Sequence, residues 1–391
     1  MNTHFKKIFL FTLALVLTLF LTGCTSRNPA SEDSKTSTKN VLCASFSEYD
    51  WTKNIIGDNP GKLNLQLLNR TGADMHSYQP SVSDMTKISD ADLLIYTGGI
   101  SEFWVDDASL SSMKQPDTVL SLMEYFEDHS ERFPAYIDED EHEETHDVHE
   151  QGHEDESGHE HTAEDESAIH DDSDSHAGHH HSHDHDADEH LWLSLKITPV
   201  LCEKIADQLS DLDPDNADIY LANAEKYIEK LQRLDAKYQA LIDDYKAAAG
   251  NLSADSGTQH NSHGSDHAGI TETISPVLIF ADRYPFTYMM QDYGITTYAA
   301  FSGCSAETEA SFHTVIDLAD KLNTLRLSKL IVLKNSSNDL SEPIIQAAER
   351  KDITVLALDS IQSVTADELN NGYSYLKAME ANYDVLAKAF A

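Results

Sequence analysis

Two kinds of histidine in this 391-residue chain could bind metal ions. The first kind is clustered: 13 of the 21 histidines lie between residues 137 and 189, among 22 acidic residues and no lysine or arginine. The second kind is single: His76 lies in "TGADMHSYQPS", and His190 begins "HLWLSLK", where apolar sequence resumes. Because neutral imidazole is a good ligand for Zn²⁺ and, less selectively, for Mn²⁺, we expect chemistry based on a divalent cation.

The clustered histidines lie in a segment that we expect to have no fixed fold from about Asp138 to Asp188. Acidic, histidine-rich sequence cannot bury enough apolar surface to offset the entropy of the chain. Many imidazoles within reach of one cation would still collect zinc weakly, and copper or nickel would also bind. Capture should fade below about pH 6, because imidazole must be neutral to bind a metal. The expected collecting residues are His176, His179, His180, His181, His183 and His185.

The overall charge fits a metal cation as partner. The formal net charge is −41, with 68 acidic and 27 basic residues. Such a chain repels the phosphate backbone of nucleic acids, which attracts the opposite sign. We therefore expect no nucleic-acid partner.

The first residues predict export and a lipid anchor. Lys6 and Lys7 precede an apolar run from Ile8 to Thr22, which is short for a membrane span and typical of a signal peptide. The run ends in "LTGC", which is similar to a bacterial lipobox. We predict a signal peptide over 1–23, a lipid on Cys24, and a polar tether over 24–40, so that the protein is anchored to the outer face of the cell membrane. An ordinary cleavage site and a short membrane anchor are the alternatives.

The other cysteines are Cys43, Cys202 and Cys304. Their odd number means that at least one thiol is free or has a partner elsewhere. We expect either buried thiols that act as small apolar residues, or one disulfide and a spare thiol. Cys304, in a glycine-containing turn, is also a possible zinc ligand.

The pattern of elements predicts an α/β fold. Short apolar strands alternate with loops and helices in both halves of the chain, which is typical of parallel sheets. Between the halves, apolar residues at three- and four-residue steps predict one long helix. We expect a first lobe over 41–213 containing the acidic insert, a linking helix over 214–250, a flexible histidine-containing loop over 251–274, and a second lobe over 275–391.

Four motifs together resemble one protein family. They are "TGADMHSYQPS", "DEHLWLSLK", "DRYPFTYMMQDYGI" and "LALDSI". The chain resembles the zinc- and manganese-binding solute-binding lipoproteins of bacterial ABC importers, from Val41 to the C-terminus apart from the insert. The resemblance implies a monomer that holds a metal ion in the cleft between two lobes, with a helical spine that limits closure. It also implies delivery to a membrane permease and its ATPase.

By this resemblance His76 corresponds to the first ligand and His190 to the second. Both lie in loops where open α/β sheets form their sites, beyond the carboxyl ends of the strands. Asp359 corresponds to a carboxylate that closes the site from the second lobe. The alternative for Asp359 is an N-cap of the last helical region.

The third motif departs from the family, because Arg283 stands where the family has a histidine. An arginine has no lone pair to offer a metal. Three interpretations stay open: Asp282 supplies the ligand, Glu307 or Glu309 reaches the cleft, or the second lobe supplies fewer ligands. In the last case Arg283 would pair with Glu309 or Asp359.

The sequence thus predicts a receptor that captures Zn²⁺ and is not an enzyme. A manganese receptor is the main alternative, followed by a metal-buffering or adhesin lipoprotein. A zinc hydrolase has the least support, because no predicted helix carries a His-Glu-x-x-His motif and no convincing general base stands beside His76 and His190.

Overall fold

A computed structural model describes residues 38–58, 63–105, 119–136, 188–255, 275–302, 311–336 and 339–391, with the backbone alone for 251–255. The described residues from Lys39 onward form one compact unit. No helix in these ranges combines the length and apolar character that a membrane span requires.

The first lobe is built on a four-stranded parallel sheet. The strands are β1 (Lys39–Cys43), β2 (Leu63–Leu67), β3 (Leu93–Tyr96) and β4 (Val119–Ser121), in the order β2-β1-β3-β4. The central strands are short apolar runs, as expected where helices cover both faces of a sheet. In register, Val41 lies opposite Leu65 on one side and Leu93 on the other. All four carboxyl ends therefore lie at one edge of this sheet.

Four helices accompany this sheet: α1 (Phe46–Ile56), α2 (Val82–Ser89), α3 (Leu122–Asp128) and α4 (Ile197–Leu212). The sequence offers Ser81 or Ser83 as the N-cap of α2. The structure selects Ser81, which accepts a hydrogen bond from the backbone N–H of Asp84, while the Asp84 carboxylate accepts one from the backbone N–H of Ser81. This reciprocal pair starts the helix immediately after the loop that carries His76.

The long helix α5 (Ala217–Asp255) packs on α1 and α4 and continues past Gly250. The apolar residues whose spacing predicts this helix include Tyr227, Leu231, Leu234 and Tyr238, which are all buried. Ile219 and Ala222, near its start, follow the same spacing and are exposed. There the buried face begins at Tyr220, whose hydroxyl donates to Asp213.

The same helix contacts both lobes. Asn223 donates from Nδ2 to the carbonyl of Ile55 at 3.1 Å, and the Tyr238 hydroxyl donates to the carbonyl of Met379 at 2.6 Å. These two contacts lie in different lobes, as a linking helix requires.

The second lobe repeats the topology of the first. Its strands are β5 (Val277–Tyr284), β6 (Thr296–Ser302), β7 (Lys329–Leu333) and β8 (Thr354–Leu358), all parallel in the order β6-β5-β7-β8. Pairing between β5 and β6 shifts in register between Phe280 and Arg283. The helices are α6 (Thr287–Tyr293), α7 (Phe312–Thr324), α8 (Ser341–Ala347), α9 (Ala366–Asn370) and α10 (Tyr375–Ala389).

Hydrogen bonds and one backbone bridge join the lobes near the carboxyl edges of the sheets. The indole of Trp192 donates to the carbonyl of Ser360 at 2.9 Å, and the hydroxyl of Tyr375 donates to the carbonyl of Trp192 at 2.5 Å. Thr71 and Thr365 form an isolated antiparallel bridge. The fold is therefore the expected one: two α/β lobes with parallel sheets and one long helix.

The cysteines of the first lobe are not paired. Cys43 and Cys202 are both buried free thiols, and burial raises the pKa of each well above its usual range. They are small apolar residues of the core, as one of the two sequence interpretations expected. Cys304 lies outside the described residues.

Candidate metal centre

Two histidines and one glutamine meet between the lobes. His76 lies in a short 3-10 helix, Met75–Ser77, in the loop that follows β2. His190 immediately precedes another, Leu191–Leu193, and Gln362 follows β8. His190 is fully buried and Gln362 is 6% exposed. The site therefore lies beyond the carboxyl ends of strands from both sheets, where α/β proteins commonly bind ligands.

The two imidazoles are close enough to share an ion. Their ring centroids are 5.6 Å apart. With Glu189 they form a group in which one potential ligand atom from each residue lies within 4.8 Å of the others, within the part of the chain that the structure describes. Imidazole nitrogen and carboxylate oxygen are both common zinc ligands. The residues present thus fit a divalent cation.

A carboxylate fixes the orientation of the His190 ring. Asp188 accepts hydrogen bonds from the backbone N–H of His190 at 2.9 Å and from its Nδ1 at 2.6 Å. Burial opposes ionisation of Asp188, but its hydrogen bond and charge interaction with His190 lower its pKa below the usual value. An ionised carboxylate only accepts, so Nδ1 carries the proton and the lone pair lies on Nε2. Carboxylates commonly orient metal-binding histidines in this way.

His76 is oriented through a serine. Its Nδ1 lies 2.5 Å from Oγ of Ser101, and that hydroxyl in turn donates to a carboxylate oxygen of Glu189. Because the serine proton is given to Glu189, His76 donates from Nδ1 and keeps its lone pair on Nε2. Burial lowers the pKa of His76 below its usual value, and the nearby charges of Asp74 and Glu189 offset only part of this effect. The ring is therefore neutral at pH 7, as a metal ligand must be.

Glu189 lies behind His76 and is 3% exposed at its side chain. One carboxylate oxygen accepts from the backbone N–H of Ser101 at 2.9 Å, and the other lies 3.3 Å from Nδ1 of His76. Gly99 permits this approach: its φ is +81°, and a Cβ there would lie 2.8 Å from Cβ of Glu189. In this arrangement Glu189 faces the Nδ1 side of His76, opposite the side that carries the lone pair.

The loop that carries His76 is anchored to the second lobe. Asp74 accepts a hydrogen bond from the backbone N–H of His76 at 3.0 Å and starts the short helix. The other oxygen of Asp74 accepts from Arg283 on β5 at 2.5 Å. Arg283 thus pairs with Asp74. Of the two partners that the sequence suggested, Asp359 pairs with Lys334 instead, and Glu309 lies outside the described residues.

Gln362 occupies the space between the imidazoles. Its Nε2 lies 3.1 Å from Nε2 of His76 and 2.9 Å from Nε2 of His190. A carboxamide has two N–H donors, so it can donate to both rings at once. Both acceptors must then be unprotonated, in agreement with the contacts of the two Nδ1 atoms. The two lone pairs therefore point toward one position.

The structure does not bring Asp359 into this group. One of its oxygens accepts from Lys334 at 2.8 Å and from the Tyr373 hydroxyl at 2.8 Å, and the other accepts from the backbone N–H of Ile361 at 3.0 Å. Its role as a ligand stays a prediction. These contacts favour a structural role in which Asp359 fixes the start of the loop that carries Gln362.

Asp282 is also engaged elsewhere. It is fully buried and accepts from the backbone N–H groups of Arg283 and Leu333 and from the hydroxyl of Ser336. These contacts hold the ends of β5 and β7 together, and they occupy both of its oxygens.

The remaining predicted site residues lie outside the described residues. They are Glu307 and Glu309, Cys24, and the collecting histidines His176, His179, His180, His181, His183 and His185. Asp188, which was expected to close the segment without a fixed fold, is described and holds His190.

Three residues of the site were not predicted from the sequence. Glu189 stands directly before His190, but one acidic residue in a long acidic run carries no distinguishing signal. Ser101 lies in "GGISE", and only its position after a buried strand favours a site. Gln362 in "DSIQS" belongs to no recognisable motif, so only the fold brings it to the histidines.

The chain is similar to known metal-binding proteins. A family model described as the periplasmic component A of zinc-uptake complexes matches residues 41–262 and 245–389. Zinc-binding lipoprotein AdcA of Streptococcus pneumoniae is 28% identical over 389 residues, which are 97% of this chain and 60% of that protein. This chain therefore spans about 60% of the length of that relative. A manganese ABC transporter substrate-binding lipoprotein of Streptococcus gordonii is 39% identical over 93 residues, 24% of this chain and 29% of that protein.

Solved structures share the fold. The Zn(II)-bound ZnuA-like domain of Streptococcus pneumoniae AdcA has a TM-score of 0.56 at 22% identity, covering 90% of this chain and 99% of that one. The laminin-binding protein of Streptococcus agalactiae has a TM-score of 0.58 at 17% identity, covering 90% of this chain and all of that one. Because the family model spans both lobes, the chain belongs to the family of the periplasmic component A of zinc-uptake complexes.

Proposed function

We propose that this protein is an extracytoplasmic receptor that captures Zn²⁺ between its lobes and delivers it to an ABC importer. The observation that carries the proposal is the arrangement of His76 and His190. Each ring carries its proton on Nδ1 and donates it to an outer partner, and the lone pairs on the two Nε2 atoms point to one position. A buried pair of neutral imidazoles that share one target is the arrangement a zinc ion uses.

The zinc ion is the cargo, and the first lobe supplies its two imidazole ligands. Asp188 and Glu189 add negative charge behind the rings, which makes the imidazoles more basic and offsets the charge of the ion. The described residues do not close the site with a full set of strong ligands, which favours release of the ion. Exchange, and not catalysis, is the chemistry that such a site supports, so we assign no enzymatic activity.

Delivery and location rest on the relatives and on the first residues of the chain. AdcA is named a zinc-binding lipoprotein, and the matched protein of S. gordonii is named a substrate-binding lipoprotein of an ABC transporter. We propose that a lipid on Cys24 anchors a monomer to the outer face of the membrane, where a permease and its ATPase receive the ion. The six histidines between His176 and His185 would collect zinc for the cleft.

The preference for zinc over manganese rests on the ligand types. Imidazole suits zinc better than manganese, which favours carboxylate, carbonyl and water oxygens. The site has two imidazoles, and the carboxylates of Glu189 and Asp188 contact them on the Nδ1 side. A manganese receptor of the same family is the second candidate, supported by the manganese transporter protein that matches part of the chain.

Zinc stoichiometry and affinity of two chains test the proposal. One is intact, and the other lacks residues 138–187, so that Asp188 is retained for His190. We expect the shortened chain to lose several weak sites and to keep one tight site, measured by titration calorimetry and by competition with a chromophoric chelator. If the shortened chain lost all tight binding, the cleft would not be the site. Transport is tested by zinc-limited growth of a deletion strain, which the intact chain should restore.

A further inference from the structure

Among the residues that the structure describes, the second lobe directs one side chain at the histidine pair, and it is neither Asp282 nor Asp359. Asp359 is held by Lys334 and Tyr373, and Asp282 by backbone N–H groups and Ser336. Arg283 carries a positive charge and pairs with Asp74. Gln362 alone among these reaches the Nε2 atoms of both histidines, at 3.1 and 2.9 Å.

The amide cannot keep this orientation when an ion is present. Zinc binds imidazole nitrogen at about 2.0–2.1 Å, so an ion between the rings would face the amide nitrogen at less than its contact distance. The two N–H groups of the amide also present positive charge to a cation. The carboxamide must therefore turn or withdraw.

Withdrawal is limited because the loop around Gln362 is fixed at several points. The carbonyl of Ser360 accepts from Trp192, and the backbone N–H of Ile361 donates to Asp359. Thr365 pairs with Thr71 of the first lobe. Gln362 is 6% exposed, although it borders a polar cavity of about 350 Å³. Turning costs little in comparison, since the terminal torsion of glutamine is broad and roughly two-fold.

We propose that Gln362 is the ligand of the second lobe: its carboxamide turns over when the ion enters and presents Oε1 to it. This inference rests on the proposed function of the histidine pair. The same side chain then has two states. Without the ion, its Nε2 donates to both imidazoles and keeps them in position; with the ion, its Oε1 is a ligand. A neutral amide carbonyl is a weaker ligand than a carboxylate and a harder one than imidazole, so it should bind zinc less tightly and favour manganese more than a third imidazole would.

Two substitutions test the ligand role. Gln362→Ala should weaken Zn²⁺ binding about tenfold or more, because the ion loses a protein ligand. Gln362→Glu should strengthen it, because a carboxylate is a better ligand for zinc. The matched control is Gln239→Ala, which removes a glutamine whose amide contacts Asp243 on the exposed side of α5 and should leave the affinity unchanged. Affinities are measured by chelator competition, after circular dichroism has shown that each variant is folded.

The absorption spectrum of bound Co²⁺ gives a second readout. Replacement of a protein oxygen by water in Gln362→Ala should change the intensity and position of the visible bands, and Gln239→Ala should leave them as in the wild type. If Gln362→Ala bound zinc as tightly as the wild type or more tightly, the amide would only fill the empty site without binding the ion, and the inference would be overturned. If His190→Ala also bound zinc normally, the proposed function itself would fail, so that the two failures are distinguishable.

Discussion

At the carboxyl edge of the first sheet the structure places two neutral imidazoles whose outer nitrogens are held by Asp188 and Ser101. At the same edge of the second sheet it places Arg283, Lys334 and Asp359, which are engaged in ion pairs. The strand orders β2-β1-β3-β4 and β6-β5-β7-β8 are equivalent. With the same topology, one lobe presents imidazole lone pairs that fit a cation, and the charged side chains of the other lobe pair with each other or with the first lobe. The side chains, and not the fold, therefore decide which lobe offers ligands.

The largest effect should come from the first lobe. His190→Ala removes one of two imidazoles from a fully buried position, so we expect zinc affinity to fall at least about 100-fold. His313→Ala is the control, since that histidine is 83% exposed at its side chain and pairs with Asp317 on α7. Chelator competition measures both variants. Equal losses in the two would show that histidines in general, and not the cleft, determine affinity.

The partner of His190 should matter next. Asp188→Asn keeps the size of the side chain and removes the charge that holds the Nδ1 proton, so zinc affinity should fall about 10- to 100-fold. Asp211→Asn, at an exposed position of α4, should have no effect. Titration calorimetry distinguishes the two. An unchanged affinity in Asp188→Asn would mean that the carboxylate does not orient the ring.

The contact between the lobes should depend on pH through Asp292. This residue of α6 accepts from Tyr136 and Ser194, and burial raises its pKa to about 6 from the usual 3.8. The folded protein therefore binds this proton more tightly than the unfolded chain. This contribution to stability is present below about pH 4 and is lost as the pH rises through 6.

Relative to Asp292→Asn, the free energy of unfolding of the wild type should thus decrease by roughly 2 kcal/mol between pH 4 and pH 7. Urea denaturation at several pH values measures this difference. Parallel curves for the two proteins would show that Asp292 is solvated in the native state.

A smaller effect is expected from the ion pair that joins the lobes. Arg283→Ala frees Asp74, which starts the short helix of His76, and should weaken zinc binding about threefold, because a partly exposed pair contributes little. Arg283→His, measured beside it by chelator competition, places an imidazole where the resembled family has one. An affinity above that of the wild type in this variant would show that β5 carries a vacated ligand position, and the lobes would then be less different than their side chains indicate.

The smallest effect is expected at Asp359. Its oxygens are engaged by Lys334, Tyr373 and the backbone of Ile361, so Asp359→Asn should change zinc affinity less than about twofold. Chelator competition measures the zinc affinity of this variant. A loss as large as that of His190→Ala would mean that Lys334 and Tyr373 release the carboxylate when the ion binds, and the sequence-based assignment of Asp359 would be supported.

The sequence was sufficient to predict the fold and to single out His76 and His190 as candidate ligands, because both signals are encoded locally. Apolar runs of strand length and a three- and four-residue stripe predict the sheets and α5, and His76 and His190 lie in motifs that survive in this chain. Ser101 and Gln362 reach the site only through pairing of distant strands, so nothing near them in the sequence indicates their role. Arg283 was recognised as unable to bind a metal, but its partner Asp74 depends on how the lobes meet.

The bridge between Thr71 and Thr365 should affect the rate at which a bound ion leaves more than the affinity of the site. It ties the loop that precedes His76 to the loop that follows Gln362, and it forms because Gly72, with a φ of +75°, brings its backbone against Thr365. A Cβ at that glycine would lie 2.7 Å from a methyl group of Thr365. If an ion is held between these loops, we expect its release to be faster when the two backbones part. The residence time of the ion would then depend on a backbone contact that contains no metal ligand, and a permease that separates these loops could trigger release without contacting the histidines.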